Sequence, residues 1–350
     1  MSFDNIKDIR QHLIIGMEGV SPTNEILSLI REYNIGGVLF LGKNYASIEE
    51  LSDTINMLQA SSSKVPLLTT VDHEGGRVQR FKGPFTILPS YRELAKDKTP
   101  KQIFEIHALI AEQLEACGIN MNFAPVADLS SKTDGVIGDR SIGTDLQKVE
   151  DVISATIRGF IKKGLLCCVK HFPGHGCVED DSHIDLPVSN KTLTELMNYE
   201  IIPFKKATKA NVSAIMMAHI MFPNIDELPS SFSAKLIQDI IRKEFRFTKL
   251  VITDDISMGA ISKHYDIKDA IELSLMGGND MIIFSSSDTN LIANNLDIIR
   301  KKVESNSELR SKIAEAQNRI FNIKSSIKRQ NISASNALEV LNNSTLGSQI

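Results

Sequence analysis

The sequence predicts an α/β chain that closes as a single (β/α)8 barrel, and three observations carry that expectation. Eight apolar, β-rich runs alternate with helical spacing along almost the whole chain. Polar and titratable residues recur just past the C-terminal ends of these runs, where barrel active sites are built. No Gly-x-Gly-x-x-Gly follows the first run, and no Gly-x-x-x-x-Gly-Lys-Ser/Thr occurs anywhere, which removes support for a nucleotide-binding open sheet.

The strands are expected at residues 12–17, 37–41, 67–71, 121–125, 167–169, 214–218, 250–253 and 281–284. Segments with apolar residues at i, i+3 and i+4 lie between most of them, for example at 48–58, 103–117, 236–245 and 267–275. Thr99-Pro100 offers a helix N-cap with proline at the first helical position, and Thr192 with Glu195 forms a capping-box pattern. Parallel strands joined by helices imply right-handed crossovers. The barrel is expected over residues 1–330. Residues 331–350 are rich in Asn and Ser and are expected to be a polar, weakly ordered tail.

With 350 residues, 42% of them hydrophobic, the chain is long enough for a large core. A net charge of −4 gives no electrostatic case for nucleic acid or an anionic membrane surface. No apolar run approaches the ~20 residues of a membrane span. The N-terminus has no basic segment followed by an apolar one, so a cytoplasmic protein is expected, acting as a monomer. The four cysteines, Cys117, Cys167, Cys168 and Cys177, show no Cys-x-x-Cys spacing and read as reduced thiols. Neither a metal nor another cofactor is expected.

The densest chemistry lies in Lys170-His171-Phe172-Pro173-Gly174-His175-Gly176 and on to Asp181-Ser182-His183, after the apolar run 164–169. Lysine and histidine at the end of a buried strand are costly unless paired, and such clusters on a loop mark sites. Asp181 can hydrogen-bond His183 and fix its tautomer, which makes His183 a candidate general acid/base. The rival use is metal binding by His171, His175, Asp181 and His183. Strand 250–253 ends in Asp254-Asp255. A strand-end carboxylate is rigidly placed for nucleophilic work in glycoside hydrolysis, while either Asp could simply cap the next helix. Lys170, Arg80 and Arg140 with Asp72 read as a polar clamp for sugar hydroxyls, or as salt bridges at the barrel rim. Glu74 and Arg77 past the third strand, Asp128 past the fourth and His219 past the sixth add to the same ring of polar groups.

Taken together, these motifs resemble those of the single-domain β-N-acetylglucosaminidases of glycoside hydrolase family 3, the bacterial enzymes of peptidoglycan recycling. The similarity runs from about residue 10 to 325. It includes Gly36-Gly37-Val38-Leu39-Phe40, the stretch Val71-Asp72-His73-Glu74-Gly75-Gly76-Arg77-Val78-Gln79-Arg80, and Asn122-Phe123-Ala124-Pro125-Val126-Ala127-Asp128. It continues through Asp139-Arg140-Ser141-Ile142-Gly143 and the Lys170–His183 stretch to Thr253-Asp254-Asp255-Ile256-Ser257-Met258. The resemblance implies that Asp254 is the nucleophile, with His183 as acid/base and Asp181 as its partner. It also implies that Asp72, Arg80, Arg140, Lys170 and His171 hold the terminal N-acetylglucosamine, and that the acid/base loop is mobile. The implied substrate is a muropeptide fragment with a β-1,4-linked N-acetylglucosamine.

Three positions depart from the family pattern. Cys177-Val178 stand where Asp-Thr is usual, removing hydrogen bonds those residues would offer the loop, and His73 stands where Gln is common. A phosphorylase using the same nucleophile, a metal-dependent barrel hydrolase and a non-catalytic sugar-binding protein are the alternative readings.

Overall fold

In the computed structural model, residues 9–62, 65–178 and 180–343 are described. The strands are β1 (Leu13–Ile15), β2 (Gly37–Phe40), β3 (Leu68–Val71), β4 (His73–Gly75), β5 (Val78–Gln79), β6 (Met121–Asn122), β7 (Leu166–Phe172), β8 (Ala214–Met217), β9 (Leu250–Asp255) and β10 (Met281–Phe284). Eight of them form a closed ring in the order β1-β10-β9-β8-β7-β6-β3-β2. Every neighbouring pair in the ring is parallel, and β1 closes it on β10 with Leu13 opposite Ile282. All eight expected strands are present, and the fold is the (β/α)8 barrel. β4 and β5 are an antiparallel hairpin outside the ring, unforeseen because His73-Glu74-Gly75 is too polar to read as a strand.

The two-residue period of the strands sorts their apolar side chains into two layers. Ile14, Leu39, Leu68, Cys168, Met216, Ile252 and Ile283 pack inside the barrel. Leu13, Ile15, Val38, Phe40, Val71, Val169, Ile215 and Val251 face outward into the helices. Because those outer residues are also apolar, the strands read as continuous hydrophobic runs rather than as alternation.

The helices begin where side chains can satisfy their first N–H groups. Thr99 caps the helix Pro100–Ala116, with Gln102 closing the box onto the Thr99 backbone. Thr192 and Glu195 do the same for Leu193–Asn198. The segment expected at 236–245 winds more loosely, as a π-helix over Lys235–Glu244.

The bottom of the barrel is sealed by the helix Ser307–Lys324. Its Ile320 and Ile323 join the interior cluster, and its Arg319 meets the buried Asp280 at 2.6 Å alongside Arg242 at 2.5 Å. The tail corrects the expectation for residues 331–350. Ala334–Asn343 is a helix with Ala337 and Leu341 buried, and Asn56 exchanges hydrogen bonds of 2.8 and 2.9 Å with the Ile332 backbone. The polar composition concealed a short apolar stripe. Residues 344–350 lie outside the described residues.

Candidate active site

The eight side chains expected to do chemistry or to hold the ligand, Asp72, Arg80, Arg140, Lys170, His171, Asp181, His183 and Asp254, line one cavity of about 330 Å³ at the C-terminal mouth of the barrel. They arrive from β3 and the hairpin, from a turn at 138–140, from β7 and its following loop, and from β9.

Charge pairing organises the cavity floor. Lys170 Nζ, 3% exposed, lies 2.6 Å from Asp72 Oδ1 and 2.6 Å from Glu74 Oε1. The two carboxylates keep Lys170 protonated against a burial that would push it the other way. Arg140 grips Glu74 through two bonds of 2.8 Å, from Nε to Oε2 and from its terminal nitrogen to Oε1. Burial alone would raise the Glu74 carboxyl, but the Arg140 and Lys170 cations hold it well below the usual carboxylate range. Arg80 stands 3.6 Å from the other oxygen of Asp72 and is about one-third exposed.

His171 is set by Asp128. Since a carboxylate only accepts, the 2.7 Å contact of His171 Nδ1 with Asp128 Oδ2 puts the proton on Nδ1, leaving Nε2 to face Arg140 at 3.5 Å. Asp128 also accepts the backbone N–H groups of His171 and, at 2.6 Å, of His175. Burial would raise this carboxyl too, yet these donors hold it below its ordinary value.

Asp254, next to last in β9, stands on the cavity wall. Its burial favours the neutral acid, but His171, His219, the Asp255 N–H at 2.8 Å and Lys170 outweigh that cost, and the carboxyl stays below its ordinary value. It is therefore anionic at neutral pH. Its neighbour Asp255 has another task, accepting from Ser257 N at 3.0 Å and from Ser285 N at 3.1 Å, and also from Ser285 Oγ. That ties β9 to the end of β10. His219 packs below, with Nε2 3.1 Å from the Asp255 carbonyl and Nδ1 2.8 Å from Ser231 Oγ.

Asp181 and His183 sit on the loop after β7. His183 Nδ1 lies 2.8 Å from Asp181 Oδ1, which also accepts the His183 backbone N–H at 2.8 Å. Nδ1 therefore carries the proton, and Nε2 is the nitrogen left for exchange. His183 is 65% exposed and Asp181 37%. This loop packs closely on the segment after β9, where a Cβ on Gly259 would collide with the carbonyls of Ile184 and His183.

The groups considered as metal ligands have other partners: His171 is held by Asp128, His175 Nε2 by Ser182 Oγ at 2.9 Å, and His183 by Asp181. Among the described residues, no three His, Cys, Asp or Glu side chains converge as a set for a metal ion.

Three details were not legible in advance. Glu74 and Asp128 are central to the pairing, although the sequence marked them only as strand-end polar groups. His73 is not among the residues that line the cavity. Its ring lies tilted against Phe81 and Phe85 at 5.9 and 5.8 Å, and burial pushes its imidazole down to about 3. Cys177 directs its thiol to the Gly174 carbonyl at 3.1 Å, a donation that an ionised Asp at this position could not make.

A parallel barrel whose mouth sets an anionic strand-end aspartate across from a carboxylate-backed imidazole, over a floor of paired charges, belongs to the class of barrel glycoside hydrolases. Comparison narrows the class. The sequence model of the Glycosyl hydrolase family 3 N terminal domain matches residues 6–323, and the chain belongs to that family. A protein of Idiomarina loihiensis named Beta-hexosaminidase is 36% identical over 275 residues, covering 77% of this chain and 82% of that protein. A glycoside hydrolase family 3 β-N-acetylglucosaminidase from a Paenibacillus species superposes with a TM-score of 0.87 at 28% identity, covering 98% of this chain and 68% of the other. A fungal multi-domain family 3 β-N-acetylglucosaminidase superposes at 0.90 with 28% identity over 95% of this chain, which spans 41% of that protein's length.

Proposed function

We propose that the protein is a retaining exo-β-N-acetylglucosaminidase that removes terminal β-1,4-linked N-acetylglucosamine from peptidoglycan-derived muropeptides in the cytoplasm. The observation that carries this reading is the meeting of an anionic Asp254 and the Asp181–His183 pair at one cavity. Relatives named as β-hexosaminidases and β-N-acetylglucosaminidases support it, as does the motif resemblance for the substrate. Among the described residues, no helix is long and apolar enough to cross a membrane.

The chemistry follows from the roles these groups can fill. Asp72, Arg80, Arg140, Lys170 and His171 hold the sugar hydroxyls and acetamido group through charge-assisted bonds. Asp254 attacks the anomeric carbon while His183 gives its Nε2 proton to the departing oxygen, forming a glycosyl ester and breaking the glycosidic bond. Asp181 stabilises the imidazolium before that transfer and holds the ring afterwards. The neutral His183 then takes a proton from water, which attacks the ester and releases the sugar with net retention.

Turnover of an aryl β-N-acetylglucosaminide beside the matching β-glucoside tests the substrate class. A fluorinated substrate analogue that traps the intermediate should add its mass to the peptide containing Asp254. Label on a different carboxylate, or equal turnover of both sugars, would overturn the reading. Phosphorolysis is distinguished by product analysis with and without inorganic phosphate.

A further inference from the structure

The groups that would hold sugar and the groups that would deliver a proton lie on different segments, so something must keep them in register. Ser182 is placed to do it. It stands between Asp181 and His183 in sequence, yet it is only 2% exposed where its neighbours are open to solvent. Its hydroxyl is 2.9 Å from His175 Nε2. The other ring nitrogen of His175 is buried without a hydrogen-bond partner among the described residues, so Ser182 supplies the polar tie that orients this ring.

From His175 the connection runs inward. Its backbone N–H donates to Asp128, whose second oxygen holds His171 Nδ1, and His171 Nε2 faces Arg140. Outward, the Ser182 carbonyl accepts from Ala260 N at 3.0 Å and the His183 carbonyl from Gly259 N at 3.1 Å. Gly259 and Ala260 follow the strand that ends at Asp254 and Asp255. One buried serine therefore joins the donor loop to the sugar-holding cluster on one side and to the nucleophile's strand on the other.

We infer that Ser182, through His175 and Asp128, is a positioning residue that sets the Asp181–His183 pair over the glycosidic oxygen. The inference rests on the reading of His183 as acid/base. Ser182 itself does not touch the reacting atoms. Removing its hydroxyl leaves the clamp and Asp254 in place but lets the donor drift, and a misplacement of about 1 Å can cost on the order of 100-fold in a proton-transfer step.

The test compares Ser182→Ala with wild type on two substrates. One is a β-N-acetylglucosaminide with an alkoxide leaving group that needs protonation, and the other a dinitrophenyl glycoside that does not. The expected result is a fall of roughly 10- to 100-fold in kcat/KM on the first, and less than about threefold on the second. Inhibition by free N-acetylglucosamine should stay within about twofold, which also reports that the variant folds. In a double-mutant cycle with His175→Ala, the two losses should overlap rather than add. Equal losses on both substrates, additive losses in the cycle, or no loss at all would overturn the inference. Should the alanine variant not accumulate, Ser182→Cys, which keeps a weak donor, is read by the same substrate ratio. Wild type that hydrolyses neither glycoside sinks the glycosidase reading instead, a result distinct from any change in that ratio.

Discussion

Arg140 and Glu74 meet fork to fork, both bonds at 2.8 Å, with Glu74 1% exposed. The same carboxylate holds Lys170 at 2.6 Å. Two cations that would otherwise repel are thus locked side by side by one carboxylate. A buried ion pair need not stabilise a fold more than apolar packing would, but breaking one by removing a single partner is costly.

Glu74→Ala is therefore expected to lower stability by about 3–5 kcal/mol and to weaken inhibition by N-acetylglucosamine. Denaturant unfolding and an inhibition constant check the two parts. A variant as stable as wild type with unaltered inhibition would show that Glu74 does not organise the pair.

His183→Ala removes the exchangeable Nε2 while leaving Asp254 untouched. On glycosides with poor leaving groups, kcat/KM should fall by roughly 100- to 10,000-fold, and far less on activated aryl glycosides. A uniform loss across a leaving-group series would argue against an acid/base role.

The barrel was legible because each core strand is an unbroken apolar run ending in polar residues, as in the run into Lys170-His171. The strand ends also announced the cavity, since Asp72, Lys170 and Asp254 follow directly on β-rich runs. What could not be read was pairing. Glu74 and Arg140 lie 66 residues apart, and nothing local in either segment says which partner each will find. The surroundings of His73 were hidden in the same way. The residue adjoins Asp72 in sequence, but alternation along the chain turns its ring into an aromatic cluster with Phe81 and Phe85. The helix Ala334–Asn343 was hidden by the Asn and Ser around a stripe of Ala337 and Leu341.

Cys177 stands on the loop after β7 that leads to Asp181 and His183. Burial pushes that thiol up to about 11, and its hydrogen is directed to the Gly174 carbonyl. Thiolate is the reactive form, so native Cys177 should react with a disulfide reagent at neutral pH roughly 100-fold more slowly than free cysteine. Thiol titration should show four reactive groups only after denaturation. A fast-reacting thiol in the native protein, mapped to Cys177, would contradict this.

Lys324 gives the protein a pH dependence at the opposite end of the barrel. Its ammonium is fully buried, bonded to Gln11 Oε1 at 2.6 Å and to the Gly36 carbonyl at 2.5 Å, both of them neutral acceptors. Burial among neutral groups pushes it down to about 7 from 10.5. Between those two values the unfolded chain binds the proton and the folded chain releases it, so this residue makes stability rise as pH rises from 7 toward 10. Below pH 7 both states are protonated, and the burial cost is felt in full. The contribution between pH 7 and 9 should be about 2 kcal/mol. Lys324→Met removes the titrating group, so subtracting its stability–pH curve from that of wild type isolates the effect from other groups. Denaturant unfolding at pH 7 and 9 on both proteins gives the measurement. If the wild-type curve gains nothing over the variant across that interval, Lys324 does not titrate there.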